Sequence, residues 1–176
     1  MLAKQGNSRN KINVKKITLY ALLVAVCLIV GYLESLLSIA LITIAPGVKI
    51  GLSNAVALTL VFSGDIKGAW AVNLARISLA ALLFGSPVSF LLSLSGGVAA
   101  TFTASVFSRV KSVSIIGVSI LCAVVHNAFQ LVAATMLVGK GVFIYLPVLL
   151  TLGSVCGALC GIMARLVLSK NKLFKI

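Results

Sequence analysis

The chain has 176 residues, of which 61% are hydrophobic and 10% charged, and its only acidic side chains are Glu34 and Asp65. A soluble domain carries about 25% charged residues, so this composition excludes an ordinary soluble domain and points to one integral membrane domain. The formal net charge is +13. Most of its basic residues gather at segment ends with no folded polar domain between them, which excludes nucleic acid as a partner and leaves the lipid bilayer, anionic lipid above all.

Residues 1–16 form a basic segment with Lys4, Arg9, Lys11, Lys15 and Lys16. A first helix is expected over about 17–37, with an apolar run too long for a secretory leader. It contains Ala21 and Ala25, a small-x-x-x-small spacing that admits a second helix closely, and carries Tyr32 and Glu34 near its far end. A short apolar connector, 38–45, leads to Pro46-Gly47-Val48-Lys49-Ile50-Gly51-Leu52-Ser53-Asn54, where polar residues interrupt the apolar run. A second helix is expected over about 48–62.

The polar turn Ser63-Gly64-Asp65-Ile66-Lys67-Gly68 precedes a third helix, about 69–84, which holds Asn73 and Arg76. Gly85-Ser86-Pro87 turns the chain into a fourth helix ending near Phe107, and Arg109 and Lys111 follow. A fifth helix, about 114–138, carries His126, Asn127 and Gln130; after Gly139-Lys140-Gly141, a sixth runs over about 142–168. The fold class is therefore an all-α membrane bundle of six transmembrane helices over 17–169, with a basic tail at 170–176.

Counting Lys and Arg orients the bundle. With the N-terminus in the cytoplasm, that side collects twelve of the fifteen basic residues. Both termini are then cytoplasmic and the chain belongs in the cell membrane.

Helix rise places Glu34, Lys49, Asn54 and His126 in the outer half of the bundle, with Arg76 near its centre. Asn73 and Arg76 share one helix face, His126 and Gln130 another, and Asn127 lies about 100° round from His126. These eight residues are the expected substrate-binding set. Each has a plainer reading as well. Glu34 can simply neutralise Lys49 or Arg76, Lys49 can reach the interface, and His126, Asn54 and Asn73 can join helices by hydrogen bonds. Arg76 favours a bound anion or a watered cavity, because a mid-membrane guanidinium rarely stays unpaired.

Other patterns read as structure. Gly153, Gly157 and Gly161 repeat every four residues, and Ser86, Ser89 and Ser93 make a similar small stripe. Cys27, Cys122, Cys156 and Cys160 all lie in apolar segments and read as packing residues. There is no phosphate-binding Gly-rich loop ending in Lys-Ser/Thr, no carboxylate cluster for Mg²⁺ and no zinc spacing. No cofactor, metal or catalysis is expected. His126 and Glu34 would need a nucleophilic serine, and none stands out.

Tyr32-Leu33-Glu34-Ser35, the 46–54 segment, Arg76, Leu83-Phe84-Gly85-Ser86, Ser95-Gly96-Gly97 and Val125-His126-Asn127 with Gln130 resemble the Gx transporter family, often labelled heptaprenyl diphosphate synthase component I. That family is grouped with substrate-binding S components of energy-coupling factor transporters. The resemblance implies a six-helix bundle that captures a small molecule near the outer face, under the loop 38–47. It implies docking of a transmembrane coupling subunit on the Ala21 and Ala25 face, with cytosolic ATPases supplying energy. The synthase label implies Mg²⁺–diphosphate chemistry that one aspartate in a turn does not suit. The second functional reading is a non-catalytic membrane accessory of isoprenoid or quinone biosynthesis or of extracellular electron transfer. A third is a purely structural subunit whose polar residues pair among themselves.

Overall fold

The computed structural model describes residues 14–40, 51–110 and 112–170, and the backbone alone for 37–40. The 46–50 half of the polar interruption, including Lys49, and most of the expected loop 38–47 lie outside the described residues. The described chain is helical throughout, apart from its turns, in the order α1 (Val14–Ala40), α2 (Leu52–Phe62), α3 (Ile66–Phe84), α4 (Pro87–Phe107), α5 (Ile115–Val138) and α6 (Leu146–Lys170). A short 3₁₀ helix, Lys140–Tyr145, precedes α6.

Local chemistry explains where the elements begin. The Asp65 carboxylate accepts from the Gly68 N–H at 3.0 Å, so α3 starts three residues before the expected position. Ser86 and Ser114 cap α4 and α5 in the same manner, accepting from the N–H groups of Ser89 and Gly117 at 3.1 Å each, and Pro87 occupies the first turn of α4, where a missing N–H costs nothing. The sixth helix starts later than expected. Pro147 sits in its first turn, and the residues before it tighten into the 3₁₀ helix.

The bundle is packed inside out relative to a soluble domain. Large apolar side chains such as Leu22, Ile29, Leu82, Met136 and Ile144 lie on the outside, whereas Ser53, Thr59, Asn73, Thr101, Ser119 and Gln130 are buried. Within a bilayer, burying large apolar groups gains little, so small residues and interhelical hydrogen bonds hold the interior. The apolar core centres on Leu60, Val72 and Val118.

Two glycine seams set the close approaches. A Cβ at Gly157 would stand 2.8 Å from the Ala123 Cβ and 2.9 Å from the Ile120 Cα, and one at Gly161 would stand 2.8 Å from the Ile116 Cα. The glycine repeat thus seats α6 directly on α5. On α4, Gly97 faces Ile77 and Asn73 of α3, while Gly96 faces His126 of α5. These antiparallel pairings bring the start of α1, the α2–α3 turn, the α4–α5 turn and the end of α6 to one end of the bundle. The Tyr20 hydroxyl, which donates to the Asp65 carboxylate, ties α1 to the α2–α3 turn at that end.

Five of the helices are long and apolar enough to cross a membrane, and α2 is the exception. Its 11 residues span about 16 Å at ~1.5 Å per residue, roughly half of a ~30 Å hydrocarbon core. Of the six crossings expected from the sequence, the second, expected over about 48–62, is the short helix α2, and the other five are long among the described residues. The amino end of α2 stops at the middle of the bundle.

Candidate functional site

That mid-bundle helix end is where the polar residues meet. Gly51 has φ 76°, a left-handed conformation that costs a glycine little, and its carbonyl accepts from the Asn54 N–H at 2.8 Å. Gly51 has no side chain to cap α2. Glu34 of α1 does so from outside, its Oε1 accepting from the Leu52 N–H. A carboxylate at a helix amino end satisfies a free donor and the helix dipole together. Both acidic residues of the chain, Glu34 and Asp65, thus sit at helix amino ends.

Arg76 comes up from α3 to the same level. Its Nε donates to Asn73 Oδ1 at 2.9 Å, one terminal nitrogen to Ser53 Oγ at 2.9 Å, and the other to Asn54 Oδ1 at 2.5 Å. All three acceptors are neutral, and the carboxylate of Glu34, not one of the three, lines the same cavity as the guanidinium. Of its five N–H groups, one on each terminal nitrogen is left over from these bonds. Asn73 is itself fixed, donating to the Gly97 carbonyl at 3.0 Å and Thr101 Oγ1 at 2.8 Å, which makes it a buried positioning residue between α3 and α4.

Beside this guanidinium lies a cavity of about 140 Å³. Its floor is Gly51, Ser53, Asn54 and Arg76; Leu28, Gly31, Glu34 and Ser35 of α1, Ala80, Ala81 and Phe84 of α3, Ser89, Phe90 and Ser93 of α4, and His126 of α5 form its walls. At the rim Phe84 packs against Tyr32, with ring centroids 5.5 Å apart. A second cavity of about 40 Å³ lies between α2, α5 and α6 and is lined in part by Ser119, Cys122, Asn127 and Cys160. Gly51, Asn54 and His126 line both cavities and form the partition between them.

Of the eight residues singled out in the sequence, Arg76, Asn54, Glu34 and His126 line the larger cavity. Asn73 orients Arg76 from behind. Asn127 faces the smaller cavity and donates to the Leu149 carbonyl at 2.9 Å, a bond between α5 and α6. Gln130 is buried away from both cavities, and its Oε1 has no hydrogen-bond partner among the described residues. Lys49 lies outside the described residues. Ala21 and Ala25 are both exposed on the outer face of α1.

Several lining residues were not anticipated. Ser53 holds Arg76, and Ser89 and Ser93 line the cavity, so the serine stripe on α4 is a cavity wall as well as a packing surface. Their spacing of four on one face was the available signal. Cys27 is 2% exposed and its thiol donates to the Ser53 carbonyl at 3.7 Å, which ties α1 to the same platform.

An apolar helical bundle with a polar cavity built around one guanidinium defines a membrane protein with an internal polar site. The chain belongs to the family described as heptaprenyl diphosphate synthase component I, whose family model matches residues 23–167. No curated protein and no solved structure gives a significant match to the chain.

Proposed function

We propose that this chain is a substrate-binding subunit of a membrane transporter, capturing a small polar or anionic molecule from the outer face. The observation that carries the reading is Arg76, held by three neutral partners beside a cavity of about 140 Å³. A buried cation costs free energy unless it is paired or solvated, and a guanidinium fixed in orientation with donors to spare suits a bound oxyanion. The positive-inside count places both termini in the cytoplasm, so the cavity end of α1 faces outward. The chain has no catalytic role in this reading.

Partners supply the energy: a transmembrane coupling subunit docks against the exposed Ala21 and Ala25 face, and cytosolic ATPases drive it. Purification of the tagged chain from its own membranes tests this. A coupling subunit and an ATPase pair should accompany it and be lost when Ala21 and Ala25 are both changed to Leu. Their absence from the wild-type preparation contradicts energisation by such partners.

The family description favours one second reading, a non-catalytic membrane accessory of isoprenoid or quinone synthesis. It predicts co-purification with a prenyl or quinone enzyme and no saturable uptake of any small molecule.

A further inference from the structure

The size and lining of the Arg76 cavity restrict its occupant. Resting on the reading that this cavity holds the ligand, we infer that the ligand is a monoanion of single-ring size, a compact planar body bearing one delocalised oxyanion such as a carboxylate.

Size sets the first limit. Pockets for drug-sized ligands run to roughly 300–1,000 Å³, whereas this cavity is about 140 Å³. An apolar cavity of ~150 Å³ accommodates one benzene molecule. A prenyl chain or a nucleotide is too large, and one ring with a small substituent is not.

Charge sets the second. Among the described lining residues Arg76 is the one cation and Glu34 the one carboxylate, whose Oε1 accepts from the Leu52 N–H, so the cavity holds no surplus of positive charge for a ligand with several negative charges. Its terminal nitrogens each retain one N–H after bonding Ser53 and Asn54. Both remaining donors belong to one guanidinium, which suits a ligand with a single oxyanion. A diphosphate would bring several charges and many more acceptors than these donors satisfy.

The walls set the third. Phe84 and Phe90 give the cavity aromatic surface, while Ser89 and Ser93 offer hydroxyls along one helix. A ring stacks or packs against the first pair, and a ring substituent reaches the second. A sugar phosphate would press its hydroxyls against the phenyl groups unbonded.

The test uses the full chain in lipid nanodiscs, titrated by calorimetry with benzoate, benzamide and inorganic diphosphate. Benzoate should bind at least about tenfold more tightly than the neutral benzamide, and Arg76→Met should remove that preference. Gly31→Phe should abolish binding of both ring probes, since a Cβ at Gly31 meets nothing within 4 Å and the larger side chain enters the cavity without backbone clash. Should Arg76→Met fail to fold, Asn54→Asp serves in its place, because it neutralises the guanidinium with little change of shape. Benzamide binding as tightly as benzoate, diphosphate binding more tightly, or no heat from benzoate overturns the monoanion. The parent reading fails separately: it falls if the probes that bind do so equally well in Gly31→Phe.

Discussion

Arg76 and Asn54 meet where the third helix position of α2 faces the guanidinium. A carboxylate at that position would be favoured by the amino-end dipole of α2 and would keep the acceptor that Arg76 uses. Asn54→Asp is therefore expected to leave the unfolding temperature close to that of wild type. It should nevertheless weaken binding of a small anion by at least about tenfold, ~1.4 kcal/mol. Thermal denaturation and calorimetry on the same sample separate the two effects, and unchanged anion affinity would remove Arg76 from the binding role. Asn73→Ala acts differently. It leaves the Arg76 Nε–H and the Gly97 carbonyl without their bonds, so it should destabilise the fold by about 1–3 kcal/mol as well as loosen the site.

At the scale of the elements, α5 and α6 are joined by glycines and α1 is held by carboxylates at helix ends. Gly157→Val would drive a side chain into the Ile120 backbone and the Ser119 carbonyl, 2.9 and 3.0 Å from the Cβ position. Backbone atoms cannot move aside as a flexible side chain can. A loss of about 1–3 kcal/mol is expected, read as a lowered unfolding temperature, whereas Gly31→Ala should leave it unchanged or raise it. Asp65→Ala removes the cap of α3 and the acceptor for Tyr20 together. Loss of a cap alone costs about 0.5–2 kcal/mol, and Tyr20→Phe should reproduce only the part due to the hydroxyl. The starts of α4 and α5 were legible because Ser86 and Ser114 are ordinary caps followed by apolar runs, whereas α3 begins three residues early because Asp65, within the expected turn, caps it. The start of α2 was not. Gly51 in a left-handed conformation and a carboxylate from another helix define it, and neither follows from the local pattern. The glycine repeat in α6 was legible as a packing face, but not the helix it would face.

For the whole molecule, helix rise placed Glu34, Asn54 and His126 in the outer half with Arg76 deeper, near the centre, and these four share a cavity. Periodicity alone could not divide His126 from Asn127, since adjacent residues on a helix differ by about 100° and only packing decides which cavity each meets. The Gly153 seam takes Asn127 to α6, while Gly96 seats His126 against α4. Orientation makes its own prediction. Single cysteines at Gly64, Ser108 and Ser169 should all be shielded from a membrane-impermeant maleimide added outside intact cells, and one at Gly141 should react. The reverse pattern would turn the cavity end of the bundle toward the cytoplasm and end the outer-face reading.

The central claim is that the Arg76 cavity is a ligand site, and native mass spectrometry of the wild type, Arg76→Met and Gly31→Phe tests it most directly. The account predicts a small-molecule adduct on wild-type protein that is lost from both variants while each retains its folded charge-state distribution. An adduct that persists on both variants would contradict it.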